Sequence, residues 1–217
     1  MERELEPEIL DDLDPADPRA VASRRDLGRI NFLMGNERWL LREVGKRPQA
    51  AARGIVEWGA GQGHLLKRLA SFGPATGIDR VARPADLPGE IAWHAGDLLD
   101  SGERAAVPGG LVVVNLLLHH FEAEDLRRLG ELARPAAAII CVEPWRHPVA
   151  MTMGKSMLPW VSEVTRHDML VSIRAGFDAG ELAAMLGLAA DWKIKETTSL
   201  RGGLRSVMER NRMAAMG

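Results

Sequence analysis

Cysteine occurs once in this chain, at Cys141, and tyrosine does not occur at all. A lone thiol excludes an intramolecular disulfide, and nothing in the cysteine usage points to an oxidising compartment. Charge of one sign is not in excess either. The 28 Lys and Arg face 30 Asp and Glu, a formal net charge of -2 with a pI near 6.3. No general attraction to a phosphate backbone follows, so nucleic acid is not an expected partner. No apolar run approaches the roughly 18 residues of a membrane span, and the amino terminus lacks a basic-then-apolar signal pattern. The expectation is a cytoplasmic protein with no membrane span. Internal repeats and low-complexity stretches are missing as well. What is present, 46% hydrophobic and 27% charged residues over 217 positions, suits a globular chain with a substantial core, either one large domain or a domain with a small lid.

Residues 1–17 carry Glu2, Glu4, Glu6, Glu8, Asp11, Asp12, Asp14 and Asp17 against one arginine, and read as a solvated, partly disordered arm. Asp17-Pro18 looks like a helix N-cap followed by proline at the first helical position. Val21, Leu27, Ile30, Leu33 and Met34 then recur at helical spacing up to Gly35, and a second helical piece runs over 36–44. Residues 18–47 would form a helical cover ahead of a domain over 48–217. After a linker at 45–53, strands alternate with helices. Strands are expected over 54–58, 75–78, 91–94, the first half of 111–118, and 136–142. A last pair is expected over 192–197 and 204–208. Helices are expected over 64–71, 122–133 and 178–186, the last with Asp178 as cap and Glu181 closing a capping box. This alternation implies an α/β fold with a doubly wound, mostly parallel sheet.

The stretch that organises the chain is Gly54-Ile-Val-Glu-Trp-Gly-Ala-Gly-Gln-Gly-His64. Three glycines at alternate positions between a strand and a helix let the backbone come close to a ligand, and the carboxyl end of the first strand is the usual ligand crevice of an open α/β sheet. A dinucleotide fingerprint, G-x-G-x-x-G, would need a third glycine at position 64, which is His64.

The turn is instead acidic-x-Gly-x-Gly-x-Gly from Glu57 to Gly63. It resembles the first motif of class I S-adenosylmethionine-dependent methyltransferases, a likeness that runs from about residue 54 onward. The resemblance implies a Rossmann-like seven-stranded sheet with an antiparallel last strand, and S-adenosylmethionine as cofactor. It places Gly59, Ala60, Gly61 and Gly63 against the cofactor, with Glu57 beneath them, bonded to the turn's amides or to the methionine ammonium. Asp79 would accept both ribose hydroxyls, a task that suits a carboxylate because it only accepts. Asp97 would read the adenine amino group with the Leu98 amide beside the ring, and Asn115 would line the amino-acid portion.

Further on, Leu116-Leu117-Leu118-His119-His120-Phe121 resembles the Leu-His-His-Phe segment of small-molecule members of the family. Val142–His147, Thr165–Asp168 and Val171–Phe177 resemble a bacterial subgroup with a His-Asp-x-x-x-Ser-Ile-Arg segment. That subgroup also carries an Arg-Arg-Asp-Leu-x-x-Ile-Asn helix, matched here by Arg24–Asn31. The likeness thus covers most of residues 23–210. The chain departs from the subgroup at Glu143-Pro144, where Asp-Leu is more usual. Residues 145–177, with Met151, Met153, Met157, Leu158 and Trp160, read either as an adaptable apolar lid or as an ordinary helix packed over the sheet edge.

The function implied is methyl transfer to a small, hydrophobic or aromatic acceptor at oxygen or carbon, by a monomer or homodimer. Methyl transfer from a sulfonium chiefly needs alignment and water exclusion, with a general base for a hydroxyl acceptor. Histidine suits that role near neutral pH, and the candidates are His120 and His167, with Asp168 as an orienting partner if the fold lets it reach an imidazole. No histidine or cysteine spacing matches a zinc pattern, and no metal is expected. Two other functions stay open. An RNA or protein methyltransferase would need a basic face, for which Arg24, Arg25, Arg29, Arg42, Lys46 and Arg47 are the candidates; without tyrosine, an Asn-Pro-Pro-Tyr motif is excluded. The other is a non-catalytic module that binds S-adenosylmethionine.

Overall fold

The computed structural model describes residues 1–14, 16–190, 192–199 and 201–211. Four helices precede the sheet: α1 (Ile9–Asp12), α2 (Pro18–Met34), α3 (Asn36–Gly45) and α4 (Pro48–Arg53). Then come β1 (Ile55–Trp58), α5 (His64–Leu69), β2 (Ala75–Asp79), β3 (Ala92–Ala95), β4 (Leu111–Asn115), α6 (Ala123–Ala133) and β5 (Ala138–Pro144). The chain ends with α7 (Pro148–Met157), α8 (Glu163–Ala175), α9 (Glu181–Met185), β6 (Trp192–Thr198) and β7 (Gly203–Arg210). Among the described residues no helix is long and apolar enough to cross a membrane.

The seven strands form one sheet in the order β3-β2-β1-β4-β5-β7-β6. The first five are parallel, and β7 runs antiparallel to both β5 and β6. This is the doubly wound sheet that the alternation of elements implies, with the antiparallel last strand. The chain winds outward from β1 to β3, then returns to lay β4 on the other side of β1. The strand order therefore reverses between β1 and β4, the point at whose carboxyl ends open α/β sheets bind their ligands.

Both faces of the central strands are covered, which is why they read as unbroken apolar runs. In β4, Val112 and Val114 pack on one side with Trp58, Leu126, Leu129 and Phe177, while Leu111 and Val113 pack on the other with Trp39, Leu40, Val44 and Leu69. Glu57 alternates with Val56 and Trp58 along β1, so its carboxylate points to the side covered by α3 and α5.

Local chemistry sets the helix ends. Asp17 caps α2 by accepting the Arg19 amide at 2.8 Å, with Pro18 in the first turn. The segment read as a linker contains α4, which also starts on a proline, Pro48, and buries Ala51. The helix expected from Asp178 begins three residues later, at Glu181. Gly180 precedes it at φ +83°, outside helical geometry. One half of the capping box survives, since the Asp178 amide donates to Glu181 Oε2 at 2.9 Å. That carboxylate also takes Arg146 at 2.5 Å.

Candidate active site

The turn after β1 holds Gly59, Gly61 and Gly63 at φ +68°, +53° and +71°, a left-handed region that side chains other than glycine rarely adopt. Gly59 is also closed sterically: a Cβ there would stand 3.0 Å from Leu117 of the segment after β4. At Gly61 a Cβ would meet nothing within 4 Å, so the turn's backbone is open on that side. The turn is tied to β2, because the Gly59 and Ala60 amides donate to Ile78 O at 2.9 and 3.3 Å.

Of the acidic residues singled out in the sequence, Glu57 and Asp79 lie at this turn, and Asp97 follows β3. Asp79 accepts the Gly61 amide on Oδ2 at 2.7 Å and the Val81 amide on Oδ1 at 3.0 Å, which leaves each oxygen with further acceptor capacity. Asp97 caps the 3₁₀ turn Leu98–Asp100 through the Leu99 amide at 2.9 Å and pairs with Arg80 at 2.6 Å. The Leu99 bond and the Arg80 cation outweigh partial burial and hold its carboxyl below the usual range. Glu57 is only 3% exposed, and its Oε2 has no partner. Burial first, then Glu37 and Asp79 nearby, push its pKa well up. Asn115 Oδ1 at the end of β4 is likewise buried and unpartnered. Buried polar atoms normally find a partner. Two orphaned acceptors beside an open glycine turn fit a ligand that brings donors: an ammonium, hydroxyls and an amino group.

Beyond β4 the backbone turns sharply at Leu116, the one non-glycine among the described residues with positive φ, +58°. Glu143, completely buried at the end of β5, holds this turn. Its Oε1 accepts the Leu117 and Leu118 amides at 3.0 and 2.8 Å, and its Oε2 accepts the His119 amide at 3.3 Å. The same Oε2 lies 2.8 Å from His119 Nδ1. On the far side of that imidazole, Nε2 lies 3.6 Å from Glu8. Burial opposes a charged imidazole, but bonds to Glu143 and Glu8 prevail and raise the His119 pKa to about 9. His119 is therefore an imidazolium at neutral pH and cannot serve as a base. His120, in the same 3₁₀ turn, is pushed the other way by burial and by the His119 cation beside it. Its Nδ1 lies 3.7 Å from Asp11.

Glu8 and Asp11, expected only as part of a solvated arm, reach these histidines because residues 3–10 dock along α8. Arg3 donates to the carbonyls of Ala175 (2.8 Å), His119 (3.2 Å) and Phe121 (2.9 Å), and lies over the Phe177 ring. Asp168, buried on α8, accepts the Ile9 and Leu10 amides at 2.8 and 3.0 Å. Ser172, one turn on, donates to Glu8, and Arg174 pairs with Glu6 at 3.1 Å. His167 Nδ1 lies 3.0 Å from Asp168 Oδ1, so these two neighbours on α8 do reach one another. The His-Asp-x-x-x-Ser-Ile-Arg segment thus docks the arm. Glu8, His119 and His120 also bring one potential metal-ligating atom each within 4.8 Å, a grouping that no local spacing reveals because Glu8 lies far away in sequence. The subgroup helix Arg24–Asn31 lies in α2, and Asp26 accepts the Ser162 amide at 2.8 Å, which fixes the start of α8.

A seven-stranded sheet in this order, with a reversed last strand and a glycine turn after β1, defines the Rossmann-like fold of class I methyltransferases. Solved structures agree. The plantazolicin methyltransferase BpumL in complex with SAH superposes with a TM-score of 0.67 at 15% identity, over 91% of this chain and 92% of that one. The methyltransferase domain of bacterial CtHen1 gives 0.60 at 16% identity, over 81% and 98%. The pyocyanin biosynthetic protein PhzM gives 0.57 at 16% identity, over 90% and 60%. At such identities the likeness is one of fold. No protein-family model matches the sequence, and no curated protein does.

Proposed function

We propose that this chain is a S-adenosylmethionine-dependent methyltransferase that transfers the methyl group to oxygen or carbon of a small, hydrophobic or aromatic acceptor. The observation that carries the reading is the buried, unpartnered carboxylate of Glu57 under an open glycine turn, in a fold shared with methyltransferases that bind SAH. Glu57 and Asn115 would receive the methionine portion, the Gly59–Gly63 backbone would lie against it, and Asp79 would take the ribose hydroxyls. Asp97 and the Leu98 amide would face the adenine. Once bound, the cofactor supplies a methyl group on a sulfonium, already a good leaving group.

The remaining work is alignment, water exclusion and proton removal. Residues 18–47 and the α7–α8 segment at 145–177 are read as cover and lid, with the methionines of α7 as adaptable apolar contacts. His120 is the favoured base for a hydroxyl acceptor. Burial first, then the neighbouring His119, lower its pKa and favour the neutral imidazole that can take a proton. His167, half-exposed and bonded to Asp168, is the second candidate. A panel of phenolic and other apolar acceptors, with labelled S-adenosylmethionine, tests the assignment. Label transfer to at least one acceptor, abolished by Asp79→Ala and cut at least about tenfold by His120→Gln, is the expected result. Tight cofactor binding with no turnover of any acceptor would leave a binding module instead.

A further inference from the structure

A second concavity opens where the α2–α3 turn meets the β6–β7 hairpin. It is a shallow, open depression of about 260 Å³, lined by Met34, Gly35 and Trp39 together with Arg38, Arg42, Arg201 and Arg205. It lies on the same edge of the sheet as the cofactor crevice, because the β7 end of that hairpin pairs Gly203 with Pro144 at the carboxyl end of β5. None of its lining residues belongs to the site described above.

Part of this arrangement is structural. Arg201 Nη1 donates to Leu33 O at 2.5 Å and Arg205 Nη2 to Met34 O at 2.8 Å, which satisfies the last carbonyls of α2. Those two bonds leave most of four guanidiniums unexplained. Arg38 and Arg42 are one turn apart on α3, a spacing at which like charges repel. Arg205 lies over the Trp39 ring at 5.6 Å, and its buried Nε has no partner. Burial first, then the nearby Arg42 and Arg201 cations, lower its pKa. Among the described residues no carboxylate contacts Arg38, Arg201 or Arg205. Arg42 reaches Glu43 only at 4.0 Å, and that carboxylate is already held by Lys46 at 2.7 Å and Arg47 at 3.3 Å. The α3 N-terminus adds positive potential, since its cap, Gly35, offers no side chain. Such convergence of cations around a cavity, in a chain whose net charge is -2, is stabilised by an anion with several acceptor oxygens.

We propose that this cavity is an anion subsite that takes the phosphoryl group of a small phosphorylated molecule. If the methyltransferase reading holds, that molecule is the acceptor, with its apolar part toward the α7–α8 segment and its charge here. A phosphoryl group suits the donors better than a carboxylate does, because it offers three oxygens and close to two charges. A nucleic-acid strand is the less favoured source of phosphate. The four arginines form a compact group rather than a long basic track, and the acidic arm docks on α8.

The test is calorimetric titration with sodium pyrophosphate at fixed ionic strength, with chloride as reference. One saturable site per chain is expected, weakened at least about fivefold by Arg38→Gln or Arg42→Gln and abolished in the double variant. Both side chains are exposed, so these variants should fold, and S-adenosylmethionine titration in parallel verifies the rest of the molecule. No saturable binding, or binding unchanged in the double variant, overturns the subsite. Single-stranded oligonucleotides whose affinity climbs with length and exceeds that of pyrophosphate would overturn the small-molecule assignment. Pyrophosphate binding without S-adenosylmethionine binding would sink the methyltransferase reading and leave the subsite; the reverse pattern would do the opposite.

Discussion

The half proposed to hold the cofactor, around the glycine turn, and the half proposed to meet the acceptor, around His119 and His120, are built differently. Around the glycine turn the bonds are short in sequence and mostly involve backbone. Asp79 holds Gly61 eighteen residues away, and Asp97 caps its own turn. Around His119 and His120 the bonds span the chain. Arg3 reaches Phe121 across 118 residues, Asp168 holds Ile9 across 159, and Ser172 holds Glu8 across 164. On the proposed reading, a site for one constant ligand is served by a local turn. The other half is assembled from remote side chains, and remote side chains can change with the acceptor.

If that contrast is right, damage to the second half should show first in stability. The largest effect is expected for Glu143→Ala, which leaves the buried His119 imidazolium and three backbone amides without their carboxylate. A loss of roughly 3–5 kcal/mol in urea unfolding is expected. Next comes pH. The folded pKa of His119 is about 9, above its ordinary 6.5. Its contribution is thus fully present below about pH 6.5 and lost as pH rises through 9, up to roughly 3 kcal/mol by linkage. Melting temperature followed from pH 6 to 10 should fall across that window, and His119→Asn should flatten the fall.

In the first half, substitution should act on ligand affinity more than on the fold. Glu57 binds its proton more tightly when folded, so ionising it lowers stability as pH rises above the ordinary carboxylate range. Glu57→Gln should therefore be relatively more stable than the parent at pH 8, while its affinity for S-adenosylmethionine drops about tenfold, or 1.4 kcal/mol. Loss of stability with unchanged affinity would reverse the assignment. The smallest change is expected at Arg174, whose pairs with Glu4 and Glu6 lie at the surface. Arg174→Gln should cost under about 1 kcal/mol and mainly hasten proteolysis of the arm.

The same contrast explains what the sequence could tell. The alternation of strands and helices and the glycine turn follow from local periodicity, from glycines where positive φ is required, and from aspartates at strand ends. The cavity over the α2–α3 turn and the arm's docking do not. Glu8, one of eight acidic residues in a charged run, looks like its solvated neighbours, and only the fold places it beside His119 and Ser172. Glu143 stood out as a departure from Asp-Leu, but its role, holding the backbone after β4, depends on Leu116 turning at positive φ. Arg38, Arg42, Arg201 and Arg205 are scattered over two helical and hairpin segments, so no window of sequence shows them as one group.

The central claim, that the glycine turn and its carboxylates hold S-adenosylmethionine, is tested most directly by calorimetric titration of the intact protein and of Asp79→Ala. The account predicts one cofactor per chain for the parent and binding at least about tenfold weaker for the variant, from the loss of charge-assisted bonds to two hydroxyls. Equal affinity in the two proteins, or no binding to the parent, would contradict it.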